Sequence, residues 1–177
     1  MNETLLFDVS SLFNSGVGKS VKYSFDAPVD FDDFKLNTTL KGELEIMRIE
    51  DGLNCKISKV DTSVELTCDR CLKKFNEDIH VKKDERQYYF NKPESIDDPN
   101  DIFLVNIKRQ DIDLTEPLRQ EIILHFPGLP VCYKSCKGIC PICGIDKNKK
   151  NCNCKEELPE ENKPLSALKS LIKKNNG

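Results

Sequence analysis

Residues Asp111–Phe126 read DIDLTEPLRQEIILHF, and within them the spacing of apolar residues changes. Leu114, Leu118, Ile122 and Phe126 fall at steps of four, which stacks them on one face of a helix. Asp113 or Thr115 is placed to cap this helix, and Pro117 suits a first turn, where a backbone N–H has no partner to lose. Glu116, Arg119 and Gln120 are expected to face away from the core, and FPGLP, Phe126–Pro130, ends the helix.

Upstream the period is two. Gly42–Ile46 alternates polar and apolar residues; Leu53, Cys55 and Ile57 share a face, as do Val64, Leu66 and Cys68. Phe75, Ile79 and Val81 repeat the pattern, RQYYF extends it with β-favouring aromatics, and LLFDVSSLF and IFLVNI read as further strands. Breaks are expected at EDG (Glu50–Gly52), KVDTS (Lys59–Ser63) and CDRCLKK (Cys68–Lys74). The reading is a one-sided antiparallel meander with Lys82, Asp84 and Arg86 on its wet face. NKPESIDDPND, Asn91–Asp101, with two prolines and many acids, reads as a loop.

Downstream of Pro130, six of the nine cysteines crowd into 23 residues, Cys132–Cys154. Cys140-Pro-Ile-Cys143-Gly144 has the spacing of a zinc knuckle: a tight turn aims two thiolates at one ion, and Gly144 suits the positive φ that follows. Cys152 and Cys154 return after a loop of Asp, Lys and Asn to complete a tetrahedral set. Cys68-Asp-Arg-Cys71 is a second closely spaced pair, and Cys55 reads as core beside Leu53 and Ile57. Setting Cys55 aside leaves eight thiols. One partition gives Cys140, Cys143, Cys152 and Cys154 one ion and Cys68, Cys71, Cys132 and Cys136 another; a single site with spare thiols is its rival. All-thiolate tetrahedral ligation suits zinc, so one or two structural zinc ions are expected.

A charged linker, KEELPEENK, then leads to an amphipathic stripe, Leu165, Leu168, Leu171 and Ile172, with Pro164 at the first helical position. So short a helix needs a surface, either the protein's own sheet or a partner's groove. The expected fold class is therefore α+β: a mainly antiparallel sheet domain over residues 1–130 with one packed helix near 114–126. A small C-terminal zinc-binding module over 131–177 ends in the short amphipathic helix.

The net charge of −3 conceals a gradient. Residues 1–90 carry 13 basic and 17 acidic side chains, residues 91–130 carry 4 and 8, and residues 131–177 carry 10 and 5. Only the last segment offers a footprint for RNA, with Lys134, Lys137, Lys147, Lys149 and Lys150 as candidate phosphate contacts. No apolar run approaches membrane-spanning length, and the N-terminus lacks a signal peptide's basic start, so a cytoplasmic, reducing compartment is expected. Catalysis is not indicated, nor is a small-molecule substrate. His80 and His125 read as ordinary structural residues, and GVGKS, Gly16–Ser20, lacks the full phosphate-loop pattern.

In order, VELTCDRCLKKF, IDLTEPLRQEIILHFP, CKGICPICG, CNC and PLSALKSLI resemble the YceD family, the large ribosomal RNA subunit accumulation proteins, from about Leu40 onward. The resemblance implies a non-enzymatic ribosome-assembly protein, whose partners are a large-subunit ribosomal RNA precursor, a large-subunit ribosomal protein, or both. It supplies no catalytic residue. Two other readings differ in kind: a thiol-redox switch or oxidoreductase using Cys68 and Cys71, and a structural zinc module of another complex.

Overall fold

The computed structural model describes residues 5–93 and 102–154. The expected helix over residues 164–172 and most of the acidic loop lie outside the described residues. The chain divides into two compact units, residues 1–68 with 73–132, and residues 69–72 with 133–177.

The first unit is mostly β. Its elements run β1 (Leu6–Asp8), α1 (Ser10–Phe13), β2 (Ser20–Ala27), β3 (Lys35–Leu36), β4 (Leu40–Ile49), β5 (Gly52–Thr67), β6 (Lys74–Tyr89), β7 (Phe103–Leu104), β8 (Asp111–Asp113) and α2 (Thr115–Leu124). A six-stranded sheet has the order β2-β4-β5-β6-β7 with β3 paired to β5, and β1 and β8 form a separate ribbon. All pairings are antiparallel except β6 with β7, which are parallel. Thus IFLVNI contributes two residues to the sheet, and LLFDVSSLF three to the ribbon, before Asp8 Oδ1 accepts the Ser10 N–H at 2.7 Å and the chain turns into α1.

The predicted break at Lys59–Ser63 is absent. β5 and β6 form one hairpin whose register holds from Gly52↔Tyr89 to Thr67↔Lys74. What changes there is the phase of the inward face. Leu53, Cys55 and Ile57 are buried on one side of Lys59, Val60, Thr62 and Val64 on the other. Lys59 takes φ +52 to make the change, and β4 answers with a register shift between Lys41 and Glu43. β6 changes phase at the same level. Lys82 and Lys83 are both exposed, so Lys82 lies on the wet face as expected but Asp84 and Arg86 do not. Arg86 bonds Asp84 at 2.7 Å and Glu121 of α2 at 3.1 Å, with only 24%, 9% and 12% of these side chains exposed.

The core follows the two periodicities. Leu44, Ile46, Leu53, Ile57, Val60 and Val64 from the sheet close on Leu118 and Ile122 from α2 and on Leu114 just before it, and Phe126 packs at the margin. Each such side chain contributes on the order of 2 kcal/mol by leaving water. At the start of α2, Asp113 Oδ1 accepts the Thr115 N–H at 2.8 Å, whereas the Thr115 hydroxyl is occupied by the Leu5 N–H at 2.9 Å. At Gly52 a Cβ would lie 1.9 Å from the Tyr88 carbonyl oxygen, a backbone atom that cannot swing aside. Gly52→Ala is therefore expected to destabilise the protein by more than about 2 kcal/mol, read as a lower urea midpoint. Gly16→Ala, with nothing within 4 Å of the added carbon, should leave the midpoint nearly unchanged.

The second unit has a different interior. Among its described residues the buried hydrophobic side chains are Cys71, Cys136 and Cys140, with no aliphatic or aromatic among them. Its described residues form turns and one isolated bridge, Ile139↔Asp146.

Candidate metal centre

Two sets of four thiols emerge from these turns. The sulfurs of Cys140, Cys143, Cys152 and Cys154 all lie within 4.8 Å of one another, and so do those of Cys68, Cys71, Cys132 and Cys136. Cys55 belongs to neither. It lies in the core with none of its surface exposed, and burial pushes its thiol far up.

The first set is built on the knuckle. The Gly144 N–H donates to the Cys140 carbonyl at 2.9 Å and the Cys140 N–H to the Ile145 carbonyl at 2.8 Å, with Gly144 at φ +71. That turn aims the N–H groups of Cys143 and Ile142 at the Cys140 sulfur and pulls its thiol down to about 6. Cys154 moves the other way, to about 12, chiefly because its thiol shares hydrogen bonds with Cys143. Four crowded thiols cannot all ionise by themselves, whereas a dication at their centre favours every thiolate.

In the second set, Cys68 and Cys71 bracket the turn that closes the β5–β6 hairpin, where the Cys68 N–H donates to the Lys73 carbonyl at 2.9 Å and Leu72 takes φ +58. Cys132 and Cys136 come from the segment after α2. Arg70 Nη1 donates to the Cys136 carbonyl at 2.9 Å, and the Arg70 carbonyl accepts the Ile139 N–H at 2.9 Å. Gly138, at φ +73, has no room for a side chain, since a Cβ would meet the Arg70 carbonyl oxygen at 2.8 Å. Asn148 Nδ2 donates to the Cys136 sulfur at 3.5 Å, the kind of contact that would orient a metal ligand and temper its charge.

The donor sets fit a zinc-sized ion. Zinc–sulfur bonds of about 2.3 Å in a tetrahedron place sulfurs roughly 3.8 Å apart, within the observed spread. The histidines take no part: His80 Nδ1 pairs with Asp61 at 2.5 Å, and His125 Nδ1 lies 2.9 Å from the Glu121 carbonyl oxygen. Lys134, Lys137, Lys149 and Lys150 are exposed, and Lys147 is half-buried. Neither Arg70 nor Asn148 forms a motif of its own in the sequence. Only their positions, inside one cysteine pair and between two lysines, hinted at a role.

A small, mostly β protein whose second unit is organised around clustered thiols defines a class in which metal ligation can stand in for an apolar core. The family described as "Large ribosomal RNA subunit accumulation protein YceD" matches residues 58–172, a span that holds both thiol sets and α2. The chain belongs to the YceD family. A similar protein from Arabidopsis thaliana, named "Large ribosomal RNA subunit accumulation protein YCED homolog 1, chloroplastic", is 30% identical over 69 residues. That alignment takes in 38% of this chain and 22% of the relative. No solved structure matches. Among the described residues no helix is long and apolar enough to cross a membrane.

Proposed function

We propose that this protein is a non-enzymatic, cytoplasmic factor in assembly of the large ribosomal subunit, supporting accumulation of its RNA. It would act through precursor ribosomal RNA or a large-subunit ribosomal protein. In this reading the chain works as a sheet domain over residues 1–130 and a cysteine module over 131–177. Two structural zinc ions are held, one by Cys140, Cys143, Cys152 and Cys154, the other by Cys68, Cys71, Cys132 and Cys136. Their chemistry is to fix the backbone, since a four-thiolate site leaves no open position for substrate.

The observation that carries the proposal is the family match across residues 58–172, within which every cysteine of the two sets falls. The thiol-only interior among the second unit's described residues supports the metal part, because a segment with so little apolar burial gains its folding energy from ligation. Isolation of the protein's native complexes is the test. Precursor large-subunit RNA should co-sediment with it, and its depletion should lower large-subunit RNA relative to small-subunit RNA. Absence of both would overturn the reading.

A further inference from the structure

The cysteine turns also shape an exposed surface. Asn148 lies at its centre: its Oδ1 accepts the Tyr133 hydroxyl at 2.5 Å and the Lys137 N–H at 2.8 Å. The Lys149 and Lys150 N–H groups donate to the Asp146 carbonyl at 3.0 and 3.1 Å, and the Asn148 N–H and Nδ2 both donate to Asp146 Oδ1. Two short turns, 133–137 and 146–150, are thereby fastened together. Arg70 Nη1 reaches the first at the Lys134 and Cys136 carbonyls. The described part of this unit has six basic residues, Arg70, Lys134, Lys137, Lys147, Lys149 and Lys150, against two carboxylates, Asp69 and Asp146.

Five of the eight lysines on the strands of the sheet are paired with a carboxylate, and Lys35, Lys56 and Lys82 make no ion pair among the described residues. In the first unit Lys22, Lys41, Lys59, Lys74 and Lys83 each lie within 4 Å of a carboxylate oxygen. Lys134, Lys137, Lys149 and Lys150 are exposed, and none of the four makes an ion pair among the described residues. In their midst stands Tyr133, a 48% exposed aromatic whose hydroxyl is pinned by Asn148, so that its ring is held at the surface.

Ammonium groups without carboxylate partners around a fixed, exposed aromatic suit one kind of ligand: a chain of phosphates whose bases are unstacked and can lie on the ring. We infer that the 133–150 face binds single-stranded RNA, with Tyr133 as the stacking platform and Lys134, Lys137, Lys149 and Lys150 on the phosphates. This rests on the ribosome-assembly reading and names the partner that this face takes. A duplex fits it less well, because its bases are already stacked and give Tyr133 nothing to cover. Zinc held by four thiolates carries a formal charge of −2, so attraction comes from the lysine heads one phosphate at a time rather than from a broad positive field.

The zinc-loaded full chain is to be titrated by fluorescence anisotropy with a short single-stranded RNA of mixed sequence, and with its duplex. The quadruple variant K134Q/K137Q/K149Q/K150Q should bind more weakly. It should also lower the magnitude of the salt slope by about 3, at roughly 0.7 for each single-strand phosphate that a lysine no longer neutralises. Tyr133→Ala should weaken single-strand binding by about tenfold or more, and Tyr133→Phe should restore most of it because the ring remains. Both variants should keep their zinc, and the lysine changes stand as an independent test should Tyr133→Ala fold poorly. Unchanged affinity and salt slope in the quadruple variant would overturn the inference, as would equal dependence on Tyr133 for duplex. So would these residues being needed only for binding a large-subunit ribosomal protein. If the quadruple variant still co-sediments normally with precursor particles, this face is wrong but the assembly role stands. If the unaltered protein does not co-sediment, it is the assembly role that fails.

Discussion

If each thiol set holds a zinc ion as proposed, Cys140→Ser is expected to remove one of the two and to release residues 133–154 from their folded turns. Cys140 is the most buried thiol of its set, at 2% exposure, and the one on which the knuckle's N–H groups converge. A serine hydroxyl does not ionise near neutrality and is a poor ligand for zinc, so the set falls to three donors. A structural zinc site contributes on the order of 10 kcal/mol to folding. Nothing else among this unit's described residues approaches that, because they include no buried aliphatic side chain. Elemental analysis should show the lost ion, and hydrogen exchange should show the amides of Cys140, Gly144 and Lys147 exposed. Acid should mimic the substitution, since protons compete with zinc for each thiolate and stability falls as pH falls. Cys55→Ala is the control: it opens a small core cavity but leaves zinc content unaltered. Full zinc content and unchanged exchange in Cys140→Ser would remove Cys140 from the ligand set.

Tyr88→Ala is expected to cost about 4 kcal/mol. Tyr88 is 1% exposed, its ring lies 5.5 Å from that of Phe103, and its hydroxyl donates to the Asp113 carbonyl at 2.6 Å. One side chain thus joins β6 to β7 by packing and to β8 by a hydrogen bond. Truncation leaves a cavity and a carbonyl without its donor. Tyr88→Phe separates the two contributions, retaining the packing, and should cost about 1 kcal/mol. The measurement is the shift in urea midpoint of zinc-loaded protein at constant m. Similar losses for the two variants would mean that the hydroxyl, not the ring, dominates.

How legible this was in the sequence depended on whether a feature repeats locally. The four-residue step in α2 gave Leu114, Leu118 and Ile122 as the packed face, and all three are fully buried. The period-2 runs gave β4, β5 and β6. The change of phase at Lys59 was read as a turn because alternation restarts there out of step. A strand can make the same change by placing one residue at positive φ, and a linear pattern does not distinguish the two. Asp84 and Arg86 were assigned to water because charge usually goes there. Their partner, Glu121, lies 35 residues from Arg86 along the chain, and no local pattern contains it. The gathering of eight thiols into two fours was legible as one partition because two-residue spacing is itself a geometric device. The lysines of the surface around Asn148 were legible as candidate phosphate contacts, but the bonds that fasten it were not, because they link residues 11 and 15 apart without any repeating sign.

The unbroken register of the β5–β6 hairpin bears on the order in which a nascent chain takes shape. Its partners are neighbours in sequence, and hairpins close in microseconds, far faster than a ribosome adds the next residue. The turn holding Cys68 and Cys71 is therefore set while Cys132, about 60 residues further on, is still untranslated. At roughly 10 residues per second the early pair waits several seconds for the later thiols. Both four-thiol sets are completed by residues made after α2, and a chain that stalls before Cys132 leaves the ribosome with a finished hairpin and neither set.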